Sequence, residues 1–155
     1  MNRGLVVVDD SETHRTLLEE AGALAAGSGG ELVIFTHLSS DEVESNRETI
    51  EAISEQEGTT YDSDVALQPS EQFATSLAEE TLSDFGIEYG VETRIVEGSE
   101  LADEIISTAY ETDCDHVFLV GQNRSPTGKA IFGDVVQNVI LNFDGLVTVN
   151  IDEST

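Results

Sequence analysis

Leu5-Val6-Val7-Val8-Asp9-Asp10-Ser11-Glu12 is the stretch on which the fold turns. Four consecutive apolar residues show no alternation, which marks a strand buried on both faces, as in a parallel sheet. Ser11 follows as a helix N-cap, with Glu12 in the first turn. Leu17, Leu18, Ala21, Leu24 and Ala25 then recur at helical spacing on one face, up to Gly27. Ser28-Gly29-Gly30 breaks that pattern before a second apolar run, Leu32-Val33-Ile34-Phe35. Strand, helix and strand within about 35 residues make a βαβ unit.

The same alternation continues toward the C-terminus. Residues 39–69 read as a variable, polar and acidic insertion holding a short helix through Val43, Ile50 and Ile53. Ser70 is expected to cap a helix carrying Phe73, Leu77, Ala78 and Leu82, which stops near Gly86. Residues 91–96 form the expected third strand, and Ser99 the expected cap of a helix with Leu101, Ile105, Ile106 and Ala109 on its face. Val117-Phe118-Leu119-Val120 is a fourth strand, Gly133 to Asn142 a helix, and Leu146-Val147-Thr148-Val149 a fifth strand. A length of 155 residues suits one domain spanning 1–155. Alternating βα units with apolar strands predict a doubly wound α/β domain, a five-stranded parallel sheet with helices on both faces. Ligands of such sheets sit outside the carboxyl ends of the strands, which points to Asp9-Asp10, Thr36-His37 and Gly121 onward.

Charge excludes several classes. With 32 Asp+Glu against 6 Lys+Arg the net charge is −26, so the chain lacks the clustered cations that displace counterions from nucleic acid. No partner for a nucleic acid is expected. Cys114 is the only cysteine, which excludes an internal disulfide, and it reads as a small buried hydrophobe. No apolar run approaches the ~18 residues of a membrane span, and the N-terminus has no long apolar region. A soluble cytoplasmic protein without a membrane partner is expected. The acids are spread along the whole chain, lysine occurs once, and 39% of residues are hydrophobic, so disorder does not follow from the charge. This composition resembles that of cytoplasmic proteins of halophiles, which work where a Debye length of ~3 Å at 1 M salt quenches carboxylate repulsion.

The loop after the fourth strand, residues 121–134, carries three glycines, two hydroxyls and the cations Arg124 and Lys129 ahead of a helix N-terminus. Backbone N–H groups in such a loop, with the helix dipole, can cradle a phosphate. A glycine-rich turn whose cations neutralise neighbouring carboxylates is the plainer alternative. Thr127-Gly128-Lys129-Ala130 is not a P-loop, because Asn123 and Ala130 stand where that motif needs glycine and Ser/Thr. Ser28-Gly29-Gly30 follows a helix, so it reads as a left-handed C-cap rather than a phosphate loop. A response-regulator receiver also ends its first strand in two aspartates. It needs a third aspartate closing a hydrophobic third strand, where residues 50–66 are polar, and a lysine after the fifth strand, where Asn150-Ile151 follows. His14, His37 and His116 are too scattered to propose a metal site, and no catalytic triad or carboxylate pair is legible.

Val8-Asp9-Asp10-Ser11-Glu12 resembles the Val-Asp-Gly-Ser-Glu opening of the universal stress protein family. The late loop is similar to that family's Gly-x₂-Gly-x₉-Gly-Ser/Thr signature, and Cys114-Asp115-His116-Val117-Phe118-Leu119-Val120-Gly121 to the run leading into it. The resemblance covers essentially the whole chain. It implies an adenine-nucleotide-binding α-hydrolase-like domain with strand order 3-2-1-4-5, and ATP or AMP as ligand, with Mg²⁺ if ATP. By the same resemblance Val8, Asp9 and Thr36 meet adenosine, while Val120, Gly121, Gly133, Val135 and Val136 belong to the loop and helix around ribose and phosphates. Arg124 stands where the second glycine belongs, the Gly121-to-Gly133 interval is one residue short, and Asp134 replaces the phosphate-binding Ser/Thr. A carboxylate at that helix N-terminus repels a phosphate unless Mg²⁺ bridges them, and Arg124 can compensate as a guanidinium contact. The implied function is a stress-response regulatory module with weak ATP hydrolysis at most, read by a regulatory protein partner. The alternative is the same fold without nucleotide, acting as a dimeric interaction module. Leu146 to Ile151 has no charge or proline to deter pairing at a sheet edge, so a homodimer through this strand is expected.

Overall fold

Both faces of the first apolar run are buried, and alternate residues serve opposite layers. The computed structural model describes residues 1–57, 67–121 and 133–151, with only the backbone for 50–57. Strand β1 (Arg3–Val7) lies centrally in a sheet of order β3-β2-β1-β4-β5, completed by β2 (Glu31–Leu38), β3 (Tyr89–Ile95), β4 (His116–Gly121) and β5 (Leu146–Ile151). Every pairing is parallel. Helices α1 (Glu12–Ser28), α2 (Ser40–Glu57), α3 (Gln68–Leu82), α4 (Leu101–Glu111) and α5 (Gly133–Asn142) connect the strands. Leu5 and Val7 pack with Ile105 and Ala109 of α4 and Val136 and Val139 of α5. Val6 and Val8 pack on the other face with Leu17 and Leu18 of α1 and Leu77 and Ala78 of α3. This is the period of two of an extended chain, applied to two cores at once. Each fully buried Val, Leu, Ile or Phe contributes about 1.5–3 kcal/mol, so the two layers carry the fold.

Helix α1 follows its sequence signals closely. The Ser11 hydroxyl accepts from the His14 N–H at 3.1 Å, and Gly29 closes the helix in the left-handed region at φ 71°. The Gly30 N–H then donates to the Ala25 carbonyl at 2.8 Å, the long bond of a Schellman turn. Gly30 must be glycine for want of space, since a Cβ there would lie 2.6 Å from the Met1 carbonyl oxygen. Leu24, expected on the buried stripe, is exposed.

Two expected caps are not caps. Helix α3 starts at Gln68 with Pro69 in its first turn and no side-chain cap, because the Ser70 hydroxyl bonds Thr36 instead. Ser99 sits inside a 3₁₀ turn, Gly98–Glu100, and α4 begins beyond it without a side-chain cap. The segment 39–69 holds a helix of 18 residues rather than a short one. Val43 is buried against Leu38 and Leu67, so the start of α2 is anchored to the sheet; residues 58–66 lie outside the described residues.

Near the amino ends of the strands, His116 of β4 stacks on Phe118 with ring centroids 4.3 Å apart. Its Nε2 shares a 2.7 Å hydrogen bond with the Thr148 hydroxyl, and its Nδ1 has no partner among the described residues. Burial pushes this imidazole's pKa below its ordinary value, a shift that the nearby Asp115 carboxylate opposes. The unfolded chain therefore binds the proton more readily than the folded one. Stability should be constant well above the ordinary histidine range and fall as pH drops through about 6.5. Urea titrations at several pH values check this, and His116→Gln should flatten the dependence between neutral and mildly acidic pH.

Candidate functional site

The carboxyl ends of β1 and β2 open into a cleft of about 430 Å³, within the size range of small-molecule sites. Val8 forms its inner wall: the residue is buried, and its N–H continues the ladder beyond β1 by donating to the Phe35 carbonyl at 2.9 Å. The chain then turns sharply. Asp9 Oδ1 accepts the Asp10 N–H at 2.8 Å and the Asp9 carbonyl accepts the Ser11 N–H at 3.0 Å, which holds both carboxylates at the rim. Thr36 comes from β2 and is 5% exposed, its hydroxyl 3.0 Å from that of Ser70. That bond pins the first turn of α3 over the sheet and brings Phe73 into the cleft as an apolar surface. His37 lies beside them, its ring tilted against Phe35.

The third wall belongs to α2, which the sequence reading gave no role. Ser39 Oγ accepts the Glu42 N–H at 3.2 Å while Glu42 Oε1 accepts the Ser39 N–H at 3.4 Å. This reciprocal pair is a capping box, and it fixes where Glu42, Ser45 and Asn46 meet the cleft. The Ser40 hydroxyl donates to the Glu97 carboxylate, tying the same turn to the segment after β3. A Ser-x-x-Glu spacing at Ser39 to Glu42 was the available sequence signal for this wall. Nothing comparable announces Ser70, whose partner is remote in sequence.

The structure thus brings Val8, Asp9 and Thr36 together. Val120 and Gly121 end β4 next to β1, Val120 packing against the α1/α3 layer. Gly133 opens α5 at φ 78°, a left-handed conformation that glycine supplies at little cost, and Asp134 is exposed in the first turn. Val136 is buried and Val135 partly buried, both packed into the layer between the sheet and helices α4 and α5. Arg124 and Lys129 lie outside the described residues. Among the described residues no three His, Cys, Asp or Glu gather as a metal site, and no helix is long and apolar enough to cross a membrane.

The sequence profile of the universal stress protein family matches residues 1–149. The chain belongs to the universal stress protein family. No curated protein matches it at the level of single sequences. Among solved structures it is similar to a universal stress protein from Archaeoglobus fulgidus, at 23% identity over 96% of this chain and 97% of that one, with a TM-score of 0.64. The Archaeoglobus fulgidus universal stress protein in complex with dAMP is 21% identical over 96% of each chain, with a TM-score of 0.59. A universal stress protein in complex with cAMP is 17% identical over 99% and 98% of the two chains, also with a TM-score of 0.59. At these identities the likeness establishes the universal stress protein fold.

Proposed function

We propose that the chain is a cytoplasmic stress-response regulatory module that binds an adenine nucleotide, AMP or ATP, at the carboxyl ends of β1, β2 and β4. The observation that carries this reading is the cleft itself, where an apolar wall from Val8 and Phe73 meets the acceptors Asp9 and Thr36. An adenosine unit needs that combination: a flat apolar ring, an amino donor and ribose hydroxyl donors. Structural neighbours in complex with dAMP and cAMP support the ligand class. Gly121 and Gly133 flank the loop that would approach the phosphates, with Arg124 and Lys129 as its cations and Mg²⁺ accompanying ATP. The output would be a ligand-dependent conformation recognised by a regulatory protein partner.

Calorimetric titration of ATP with Mg²⁺ in molar KCl tests the reading, and absence of binding by both ATP and AMP would discard it. Asp134 sharpens the test, because its exposed carboxylate stands in the first turn of α5, where a phosphate would sit. Asp134→Ser should raise ATP affinity about threefold by removing that repulsion. Unchanged or lost affinity would make the carboxylate a helix cap or a metal ligand. The same carboxylate favours a second reading, in which the domain has lost nucleotide and acts as a dimeric interaction module.

Either reading includes a homodimer. β5 is an edge strand whose Leu146 is 65% exposed, and Leu146 to Ile151 carries neither charge nor proline. Such an edge pairs readily with a second copy. Light scattering in molar KCl should give a dimer that Val149→Pro dissociates; a monomer, or a dimer that survives the proline, rejects this interface.

A further inference from the structure

Val8, Thr36 and Phe73 reach the cleft from the same side of the sheet. Val8 and Phe73 belong to the layer packed by α1 and α3. Phe35, whose ring meets that of His37, faces α4 and α5, so Thr36 alternates onto the α1/α3 side. Phe73 is half-buried: it packs on the α1/α3 layer and also lines the cavity. The first turn of α3 has no side-chain cap. Ser70, one turn before Phe73 on the same helix face, turns its hydroxyl to the sheet instead. Its 3.0 Å bond to the hydroxyl of buried Thr36 joins residues 34 apart in sequence. Ala74, Leu77, Ala78 and Leu82 already seat the body of α3, so the hydroxyl pair acts on its first turn.

We propose that Phe73 is the platform on which the purine ring of the nucleotide stacks, and that Ser70 is a positioning residue whose bond to Thr36 holds that platform in place. The inference rests on the adenine-nucleotide reading and deepens it: the base is recognised by its aromatic face as well as by the donors on its edge. A phenyl ring that is already half-buried has few rotamers left to lose, so binding costs little further order. Stacking grows with the ring area laid on the phenyl, which favours a purine over a pyrimidine. The bond between Ser70 and Thr36 fixes how far the first turn of α3 stands from the end of β2, and with it the width open to a ring.

Calorimetry with AMP in molar KCl tests both parts, on the native chain, Phe73→Leu, Ser70→Ala and the double variant. Phe73→Leu keeps an apolar side chain but removes the aromatic face, and should weaken AMP binding about tenfold. Ser70→Ala should weaken it about threefold in the native chain and not at all beside Phe73→Leu, because the ring that Ser70 positions is gone. A hydroxyl that merely touched the ligand would cost the same in both backgrounds. The chain has no tryptophan, so Phe73→Trp places a single indole at the platform and serves even where Phe73→Leu fails to fold. AMP should quench its emission saturably, with the affinity that calorimetry gives. AMP affinity within about twofold of native in a folded Phe73→Leu, or AMP bound by Phe73→Trp without any change in emission, overturns the platform. Additive losses overturn the role of Ser70. Binding of AMP by the native chain keeps the nucleotide site standing in each of those cases, and its absence takes the inference down with the reading beneath it.

Discussion

In dilute buffer the protein is expected to lose its folded structure, and to regain it as KCl is raised to molar concentration. The cause is the net charge of −26 on a single small domain. Among the described residues the arginine–glutamate pairs are all partly exposed, and each such pair is worth only about 0–1 kcal/mol. At ~0.1 M salt the Debye length is about 10 Å, so surface carboxylates within roughly that distance of one another repel; at 1 M it is about 3 Å and the repulsion is confined to contacts. A domain with ~5–15 kcal/mol of total stability cannot absorb many uncompensated repulsions. Circular dichroism across a salt titration reads this directly. Secondary structure indifferent to salt would contradict the expectation that this composition is adapted to high salt.

Phe35→Ala should produce the next largest effect, a loss of about 3–5 kcal/mol, most of what a marginal domain has. Phe35 is fully buried in the α4/α5 layer, packed with Leu5, Val7 and Ile105, and its backbone pairs with Val7 in the central ladder. Truncation leaves a cavity between sheet and helix that a close-packed core cannot collapse to fill. The adjacent residue is Thr36, so a loosened β2 also slackens the hydroxyl pair with Ser70 at the cleft. Urea unfolding in molar KCl measures the change. A shift below about 1 kcal/mol would contradict the placement of Phe35 in the core.

The strands were legible because burial on both faces leaves a run that only a central strand of a parallel sheet explains, as Leu5 to Val8 and Leu32 to Phe35 illustrate. Helix α2 was hard to read for the opposite reason. Its sequence is mostly polar and its start is held by Val43 and a capping box, so hydrophobic periodicity hardly registers. Ser70 and Ser99 show the weakness of reading caps from residue type alone. A serine before an apolar stripe can cap, but at Ser70 a remote threonine competes for the hydroxyl, and at Ser99 a 3₁₀ turn intervenes. The site divides along the same line. Val8, Asp9 and Thr36 follow directly from strand ends in an α/β sheet, whereas Glu42, Asn46, Ser70 and Phe73 reach the cleft only through helix packing. Val136 illustrates the converse, a residue matched to the family's site whose side chain belongs to the core.

The central claim is that an adenine nucleotide binds at the carboxyl ends of β1, β2 and β4, with its adenosine in the cleft between β1 and β2. Backbone amide chemical shifts of the protein in molar KCl, followed as AMP is added, test it most directly. The account predicts saturable shifts at Val8, Asp9, Thr36, Val120, Gly121 and the Gly133-Asp134 turn, with the β3 edge and the far end of α1 silent. Saturable shifts confined to the outer face of α3 around Glu71 and Glu79, or no saturable shift at any AMP concentration, would contradict it.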